Sequence, residues 1–171
     1  MSKTEHEQLF HQWLHDHSGI LGKVVRAFTP TAQDQEDLFQ EILVQLWMSL
    51  PRYQANAKAS TWIYRVAFNT SLAWKRKAKR LSSQVSLSWI KPPADTNTPE
   101  TTARDQLIEQ LYAAIRQLPG VDASLALMHL DGLSYQEMAA VLGISENHVG
   151  VKLTRIRQHL ARTMQGEQHD I

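Results

Sequence analysis

Cysteine is absent from this chain of 171 residues, which excludes disulfide bonds, zinc fingers and thiol catalysis. Glycine and proline are scarce, at seven and six residues, so few positions interrupt regular structure. No apolar run approaches the roughly 18 residues of a membrane span. The polar start Met-Ser-Lys-Thr-Glu-His-Glu does not resemble a signal peptide. These absences predict a soluble protein of the cytoplasm.

The formal net charge of +1 conceals an uneven distribution of charge along the chain. Residues 1–59 hold five Lys or Arg against seven Asp or Glu, whereas residues 60–91 hold seven basic residues and no acidic one. Residues 146–162 hold four basic residues and one acidic residue. Two basic stretches suggest two contacts with a polyanion, and the acidic start suggests a different partner. Solvated helix faces are the plainer explanation for either stretch alone.

The helical period of apolar residues predicts an all-α protein of two small domains. In the first, residues 1–81, an opening helix ends near residue 29, and Thr31 can cap a second helix that Pro51 terminates. After a loop, Ser60 or Thr61 is the predicted cap of a third helix that continues to about Lys79. Three helices of this kind can form one bundle.

Residues 82–103 are rich in Ser, Thr, Pro and Asn and predict a flexible linker. Helical periodicity resumes in residues 104–171, which we predict to be the second domain. Its first two helices are predicted at about 102–118 and 121–131, on either side of Pro119-Gly120.

Residues 134–157 predict a helix-turn-helix. Ser134 and Glu137 have the spacing of a capping box, Gly143 can end the first helix in the left-handed conformation, and Ser145 can cap the second. One face of that second helix is apolar, through Val149, Leu153, Ile156 and Leu160. We predict that the opposite face is basic, through His148, Lys152, Arg155 and His159. Such a helix suits the major groove of DNA.

The second and third helices of the first domain carry two further patterns. On one, Asp34, Asp37 and Glu41 share a face opposite Leu38, Ile42 and Leu46. On the other, Trp62, Tyr64, Phe68 and Trp74 precede a basic end. Acidic stripes most often merely face solvent, and we expect about half of the aromatic residues to be buried. Aromatic and basic residues together also suit single-stranded DNA, whose bases stack on rings.

These motifs resemble those of extracytoplasmic-function (ECF) sigma factors, the small two-domain initiation subunits of bacterial RNA polymerase. Asp-x-Glu-Asp-Leu-x-Gln-Glu, Leu-Trp, Leu-Pro-Arg-Tyr and Thr-Trp-Ile-Tyr-Arg-Val-Ala-x-Asn resemble region 2 of that family. Gly-Leu-Ser-Tyr-Gln-Glu-Met-Ala, Leu-Gly-Ile-Ser and Leu-x-Arg-Ile-Arg resemble region 4. The resemblance covers residues 10–80 and 104–163, and implies promoter recognition and melting without catalysis, cofactor or small-molecule substrate.

The resemblance also implies a role for particular residues. Five would bind core RNA polymerase: Asp37, Leu38, Gln40, Glu41 and Trp47. Ten would bind the −10 element. In the loop 51–59, which would hold a flipped base, these are Tyr53 and Asn56. Those bordering the melted strand would be Trp62, Arg65, Asn69 and Arg76, and those holding phosphates would be Lys75, Lys77, Lys79 and Arg80. Six would bind the −35 element: Ser145, Asn147, His148, Lys152, Arg155 and Arg157.

The partners implied are core RNA polymerase, promoter DNA and an anti-sigma factor. On the polymerase, the elements contacted would be the clamp helices of the largest subunit and the flap of the second subunit. Family members are commonly held inactive by an anti-sigma factor, often from the membrane, and some use their own tail instead. Because residues 165–171 form only a short tail, a separate partner is favoured here.

Gly150 departs from the family pattern. The common version has Gly-Thr-Val-Lys, whereas this chain has Asn147-His148-Val149-Gly150 and therefore lacks a basic residue at the last position. Glycine inside a helix costs about 1 kcal/mol relative to alanine. Either the backbone there closely approaches another group, or the helix is merely softer.

Two other classes of protein remain open from the sequence. A transcriptional regulator would use the helix-turn-helix on duplex DNA and the first domain for sensing or dimerisation, but it would need neither the acidic nor the aromatic-basic helix. An enzyme or metal protein is the weaker alternative. His11 and His15 lie one helical turn apart, yet no carboxylate cluster accompanies them.

Overall fold

The computed structural model describes residues 1–84 and 102–169, although for 82–84 and 167–169 only the backbone is described. Its elements in chain order are α1 (Lys3–Phe28), α2 (Ala32–Ser49), a 3-10 turn (Leu50–Arg52), α3 (Ala59–Gln84), α4 (Ala103–Arg116), α5 (Gly120–Leu130), α6 (Tyr135–Leu142) and α7 (Glu146–His169). No strand occurs in these two stretches, so the predicted all-α class is confirmed. None of the helices described there is both long and apolar enough to cross a bilayer.

Local sequence signals place most of the helix ends. Thr31 accepts a hydrogen bond from the backbone N–H of Asp34, and Ser134 forms the predicted capping box with Glu137. Gly143 ends α6 at φ 69°, and the Ser145 Oγ accepts the N–H of His148 at the start of α7. A side chain at Gly143 would be strained in this left-handed conformation.

Several helix boundaries differ from those predicted. Helix α3 begins at Ala59, and the Lys58 carbonyl accepts the N–H of Trp62, so Ser60 and Thr61 lie inside the helix rather than capping it. It also continues to Gln84, past the predicted linker start at 82, and α4 begins at Ala103. Residues 85–101, most of the predicted linker, lie outside the described residues. The predicted tail from 165 continues α7 to His169, and residues 170–171 also lie outside.

Helices α1, α2 and α3 pack together, as do α4 to α7. In the first group the apolar stripe of α2, formed by Leu38, Ile42 and Leu46, is almost completely buried. In the second, Val149, Leu153 and Ile156 of α7 are buried. Both stripes were predicted, and burying them is the main driving force for folding.

The two groups of helices also contact each other. Helix α1 packs against α4 and α5, and α3 packs against α5 and α6, so buried apolar residues form one continuous cluster through both groups. Gly120, the first residue of α5, lies where a Cβ atom would meet the Leu72 Cδ2 atom at 2.2 Å. A larger residue at this position would require the Leu72 side chain to move.

Candidate nucleic-acid interface

The outer face of α2 presents acidic and polar groups, of which Asp37, Gln40, Glu41 and Trp47 are exposed. Amide groups one turn away hold the two carboxylates in place: Gln33 donates to Asp37 at 3.1 Å and Gln45 to Glu41 at 3.2 Å. We call this face, with its neighbours described next, the α2 surface. Leu38 does not belong to it, because its side chain is completely buried. As a direct polymerase contact, Leu38 is a wrong prediction, since its position on the helix turns it into the core.

The α2 surface has an apolar end that sequence patterning missed. Val44 and Met48 are 50% and 62% exposed and lie one helical turn apart, next to Trp47. The His6 ring of α1 stacks on Trp47 at a centroid distance of 4.1 Å, and its Nε2 atom lies 2.9 Å from the Trp47 carbonyl oxygen. Apolar residues at i and i+4 outside the buried stripe were the available signal.

An aromatic cluster organises the loop that follows α2. Tyr53 packs edge-on against Trp13 and Trp62, with centroid distances of 4.8 and 5.8 Å. The Tyr53 hydroxyl donates to the Ala57 carbonyl at 2.7 Å, and the indole N–H of Trp62 donates to the Ser49 Oγ at 3.1 Å. Packing and hydrogen bonds therefore hold the Tyr53 and Trp62 rings in place, and Asn56 is exposed on the same loop.

The α3 surface, running from Trp62 to Arg80, carries the remaining candidates for −10 binding. Of its four aromatic residues, Tyr64 and Phe68 are buried, while Trp62 and Trp74 are half-buried, which confirms the expected division. Asn69, Arg76, Lys77, Lys79 and Arg80 are exposed. A groove of about 430 Å³ separates α3 from α2, and both Glu41 and Asn69 line it. The candidate polymerase and promoter surfaces therefore border the same groove.

The second group of helices covers part of the α3 surface. The Arg65 guanidinium donates to the Ala140 carbonyl of α6 at 2.6 Å, and the Lys75 ammonium donates to the Leu118 carbonyl at 2.9 Å. Burial lowers the pKa of Lys75, with repulsion from Lys79 as a second cause. Two cations predicted to bind DNA thus satisfy backbone carbonyls of the other domain.

Asp131, at the C-terminal end of α5, accepts hydrogen bonds from two helices of the first domain. Its Oδ1 atom lies 2.8 Å from the Lys23 Nζ of α1, and its Oδ2 accepts from the Tyr64 hydroxyl of α3. The Asp131 side chain is only 10% exposed. Burial and this hydrogen bond raise the pKa of Tyr64, and the bond to Asp131 raises the pKa of Lys23. We call these three residues the Asp131 cluster.

Partly exposed ion pairs at the rim of the domain interface also join the two groups of helices. Glu109 of α4 bonds to Arg26 of α1 at 2.7 Å and to Arg116 at 2.9 Å, and these hydrogen bonds lower the pKa of Glu109. Lys58 and Glu137 approach to 3.7 Å at the other end of the interface. Exposed pairs of this kind contribute little stability singly.

The candidate −35 residues lie on α7, but not as predicted. At about 100° per residue, the face directly opposite the buried stripe holds Asn147, Val151, Thr154 and Gln158, all exposed. His148, Lys152, Arg155 and His159 instead share one flank. Because Lys152 bonds to Asp122 of α5 at 3.1 Å and is half-buried, this flank faces α5, and the predicted basic face is wrong in its direction. Ser145, Asn147, His148, Arg155 and Arg157 remain exposed.

Gly150 is explained by a close approach. A Cβ atom there would lie 3.3 Å from the Cε2 atom of Tyr135, the first residue of α6. The Tyr135 ring thus packs over α7 at the position where the common family pattern has a basic side chain. Of the two explanations left open by the sequence, the structure supports the close approach.

Histidines, aspartates and glutamates form no group able to hold a metal ion within the described part of the chain. His11 and His15 are both exposed, and His15 lies 3.1 Å from Asp16.

Comparison with known families identifies the two groups of helices. Residues 13–81 match Sigma-70 region 2, and residues 108–160 match Sigma-70 region 4. Together these matches cover well over half of the chain. The chain belongs to the sigma-70 family. It is a sigma factor that directs promoter recognition in transcription initiation.

Individual sigma factors are similar to this chain over most of its length. The RNA polymerase sigma-H factor of Pseudomonas aeruginosa is 28% identical over 156 residues, covering 85% of this chain and 80% of that protein. The ECF RNA polymerase sigma factor SigM of Mycobacterium tuberculosis is 26% identical, with coverages of 91% and 76%. These matches confirm the resemblance to ECF sigma factors.

Two solved structures share the fold. The sigma factor RpoE in complex with the anti-sigma factor NepR from Bartonella quintana has a TM-score of 0.73 at 18% identity, covering 91% of this chain and 96% of that one. CnrH in complex with the cytosolic domain of CnrY has a TM-score of 0.66 at 20% identity, with coverages of 94% and 90%.

Proposed function

We propose that this sigma factor divides its work among three surfaces: α2 for core polymerase, α3 with its preceding loop for the melted −10 element, and α7 for the −35 element. The observation that carries this assignment is the groove between α2 and α3, which places Glu41 and Asn69 on one continuous surface. Polymerase docking and strand capture would then occur side by side. No catalytic step is assigned to the chain.

On the α2 surface, Asp37 and Glu41 lie beside exposed Val44, Trp47 and Met48. A partner with basic and apolar side chains along a helix complements both parts. The clamp helices of the largest polymerase subunit are the proposed partner. Gln40 adds a hydrogen-bonding group to the same face.

The second domain offers a different surface to polymerase. An apolar groove of about 270 Å³ lies between α4, α5 and α7, and Leu130 at its edge is 54% exposed. Leu111, Leu153, Leu160 and Met164 also line it. An apolar tip would bury surface there at about 25 cal/mol per Å². We assign this groove to the flap of the second polymerase subunit.

On the α3 surface, Asn56 and the rings of Tyr53 and Trp62 form the proposed pocket for a flipped DNA base. Asn69 would contact the next part of the melted DNA strand. Arg76, Lys77, Lys79 and Arg80 would hold phosphates, with Arg65 and Lys75 joining them once the second domain moves away. Each phosphate contact to a single strand steepens the log-log salt dependence of binding by about 0.7.

We further propose regulation by an anti-sigma factor. Both solved structures named above are complexes of a sigma factor with an anti-sigma factor, and this chain shares their fold. The proposed location is therefore the cytoplasm, or the inner face of the membrane when the partner is anchored there. Co-purification from native cells tests this, and recovery of the sigma factor only alone or with polymerase would count against it.

Reconstituted transcription tests the proposed function as a whole. Purified sigma factor and core polymerase, incubated with fragmented genomic DNA, should produce transcripts from a restricted set of start sites. Core polymerase alone supplies the background. Absence of any sigma-dependent start site, with a folded protein that binds core polymerase, would overturn the proposal.

A further inference from the structure

Residues 150–154, a turn in the first half of α7, offer no free polar side chain. Gly150 has none, Leu153 is buried, and Lys152 is bonded to Asp122. The Thr154 hydroxyl donates to the Gly150 carbonyl at 3.0 Å. Val151, which is 47% exposed, is therefore the centre of the face that points away from the protein core.

Base edges in the major groove differ in the contacts they accept. Guanine is read by Arg or Lys, and adenine by Asn or Gln, whereas thymine alone presents a methyl group to an apolar side chain. A turn whose exposed centre is a valine lacks the donors for guanine. The neighbouring positions differ, because Asn147 and Arg155 are exposed and polar.

We propose that Val151 is a specificity residue that reads the C5-methyl group of a thymine in the −35 element. Asn147, one turn earlier, would read an adenine. The upstream element is thus A·T-directed at the positions facing this turn. This inference rests on the assignment of α7 to the −35 element under the proposed function.

The test uses the reconstituted holoenzyme and a promoter library with a randomised upstream element. Selected promoters should share a thymine at one position. Replacing that thymine by deoxyuridine removes only the methyl group, and should weaken promoter binding about four-fold, which is about 0.8 kcal/mol at 1.4 kcal/mol per factor of ten.

The variant Val151→Ser should bind more weakly overall but lose nothing further from the deoxyuridine replacement. Val121→Ser changes an exposed valine of α5 and should keep the full four-fold sensitivity. The inference is overturned when no thymine is selected, or when the methyl group matters equally to the wild type and Val151→Ser. Failure to initiate at any promoter would instead overturn the proposed function.

A second inference comes from the contact between the two domains. Arg65 and Lys75 of the α3 surface both donate hydrogen bonds to backbone carbonyls of the second domain. Ala140, whose carbonyl accepts from Arg65, belongs to α6 of the helix-turn-helix. A promoter strand that reaches these two cations must therefore displace the second domain.

We infer that the structure is a closed, self-inhibited state latched by the Asp131 cluster. Asp131 gives one nearly buried carboxylate to two helices of the other domain. A carboxylate with two fixed donors is costly to separate from them. Opening must also release Arg65 and Lys75 from backbone carbonyls, so these two of the candidate promoter-binding cations become available only when the latch opens.

Fluorescence energy transfer on the full chain tests the latch, because the absence of natural cysteine allows dyes at Glu36→Cys and Arg162→Cys. The labelled protein alone should be mostly closed. Asp131→Ala and, independently, Tyr64→Phe should raise the ratio of open to closed molecules about ten-fold or more. Asp122→Ala removes an ion pair within the second domain and should leave the ratio unchanged.

Circular dichroism and thermal unfolding accompany each variant, so that a folding defect is recognised. A folded Asp131→Ala and a folded Tyr64→Phe that both keep the wild-type energy transfer would overturn the inference. An Asp122→Ala variant that opens as readily as Asp131→Ala would also overturn it, because the effect would then not belong to the latch.

Discussion

The α2 and α3 surfaces lie on adjacent helices of one domain, yet they differ in their contacts with the second domain. Asp37, Gln40 and Glu41 of α2 are exposed, whereas Arg65 and Lys75 of α3 bond to carbonyls of the second domain. Under the proposed assignment, the closed state therefore exposes the candidate polymerase-binding residues of α2, while two candidate promoter-binding residues of α3 are occupied. From this difference we expect polymerase binding to precede promoter capture.

Charge reversal on the α2 surface should have the largest effect on function. In Asp37→Lys combined with Glu41→Lys, two carboxylates that face a basic partner become repulsive, and binding to core polymerase should weaken at least about a hundred-fold. Fluorescence anisotropy with labelled core polymerase measures the affinity. Glu7→Lys, an exposed acid of α1, is the matched control and should bind as the wild type does.

Truncation of Leu38 should separate packing from contact within α2. Leu38→Ala removes a completely buried side chain and should lower the free energy of unfolding by about 2–5 kcal/mol. Denaturant titration measures this loss. At temperatures where the variant stays folded, its affinity for core polymerase should equal that of the wild type. A large loss of affinity in the folded variant would mean that Leu38 contacts the polymerase after all.

Removal of one exposed cation from α3 should reduce promoter binding modestly and in a salt-dependent way. Arg76→Ala in the holoenzyme should lower the log-log salt slope by about 0.7 if the contact is to a single strand. Arg104→Ala, which removes an exposed cation of α4, should leave the slope unchanged. Equal slopes for all three proteins would contradict the assignment of Arg76 to a phosphate.

Acid should loosen the rim of the domain interface. Hydrogen bonds from Arg26 and Arg116 lower the pKa of Glu109 in the folded protein. The stability they provide is therefore present above the unfolded pKa of about 4.3 and is lost as the pH falls through the lower folded value. Since Glu109 is 56% exposed, the loss should stay below about 1 kcal/mol.

Energy transfer between the two dyes, followed from pH 6 to pH 3, measures this loosening. Glu109→Gln should already be slightly more open at pH 6 and should show a smaller change on acidification. A variant whose pH profile matches that of the wild type would show that other carboxylates control the interface.

The sequence predicted what depends on local chemistry. Capping at Ser134 and Ser145, the left-handed Gly143 and the buried stripes of α2 and α7 all follow from residues within a few turns of one another. The start of α3 was missed because no side chain caps it in the expected place: the Lys58 carbonyl begins the hydrogen-bond ladder.

The rest depends on contacts between residues far apart in the chain. Lys152 is bonded to Asp122, the space beside Gly150 is limited by the Tyr135 ring, and Arg65 is bonded to the Ala140 carbonyl. Periodicity fixes which residues share a face of a helix but not what that face meets. The family resemblance supplied roles for these residues, and those roles remain predictions.

A reversible cross-link between the domains tests most directly whether promoter capture, and not polymerase binding, requires opening. Cysteines at Lys58→Cys and Glu137→Cys, whose native side chains approach to 3.7 Å, would be joined by a linker that thiols cleave. The linked sigma factor should bind core polymerase within about ten-fold of the unlinked form yet fail to open promoters until a reductant is added. Promoter opening by the linked protein would contradict the account, as would loss of polymerase binding that returns on reduction.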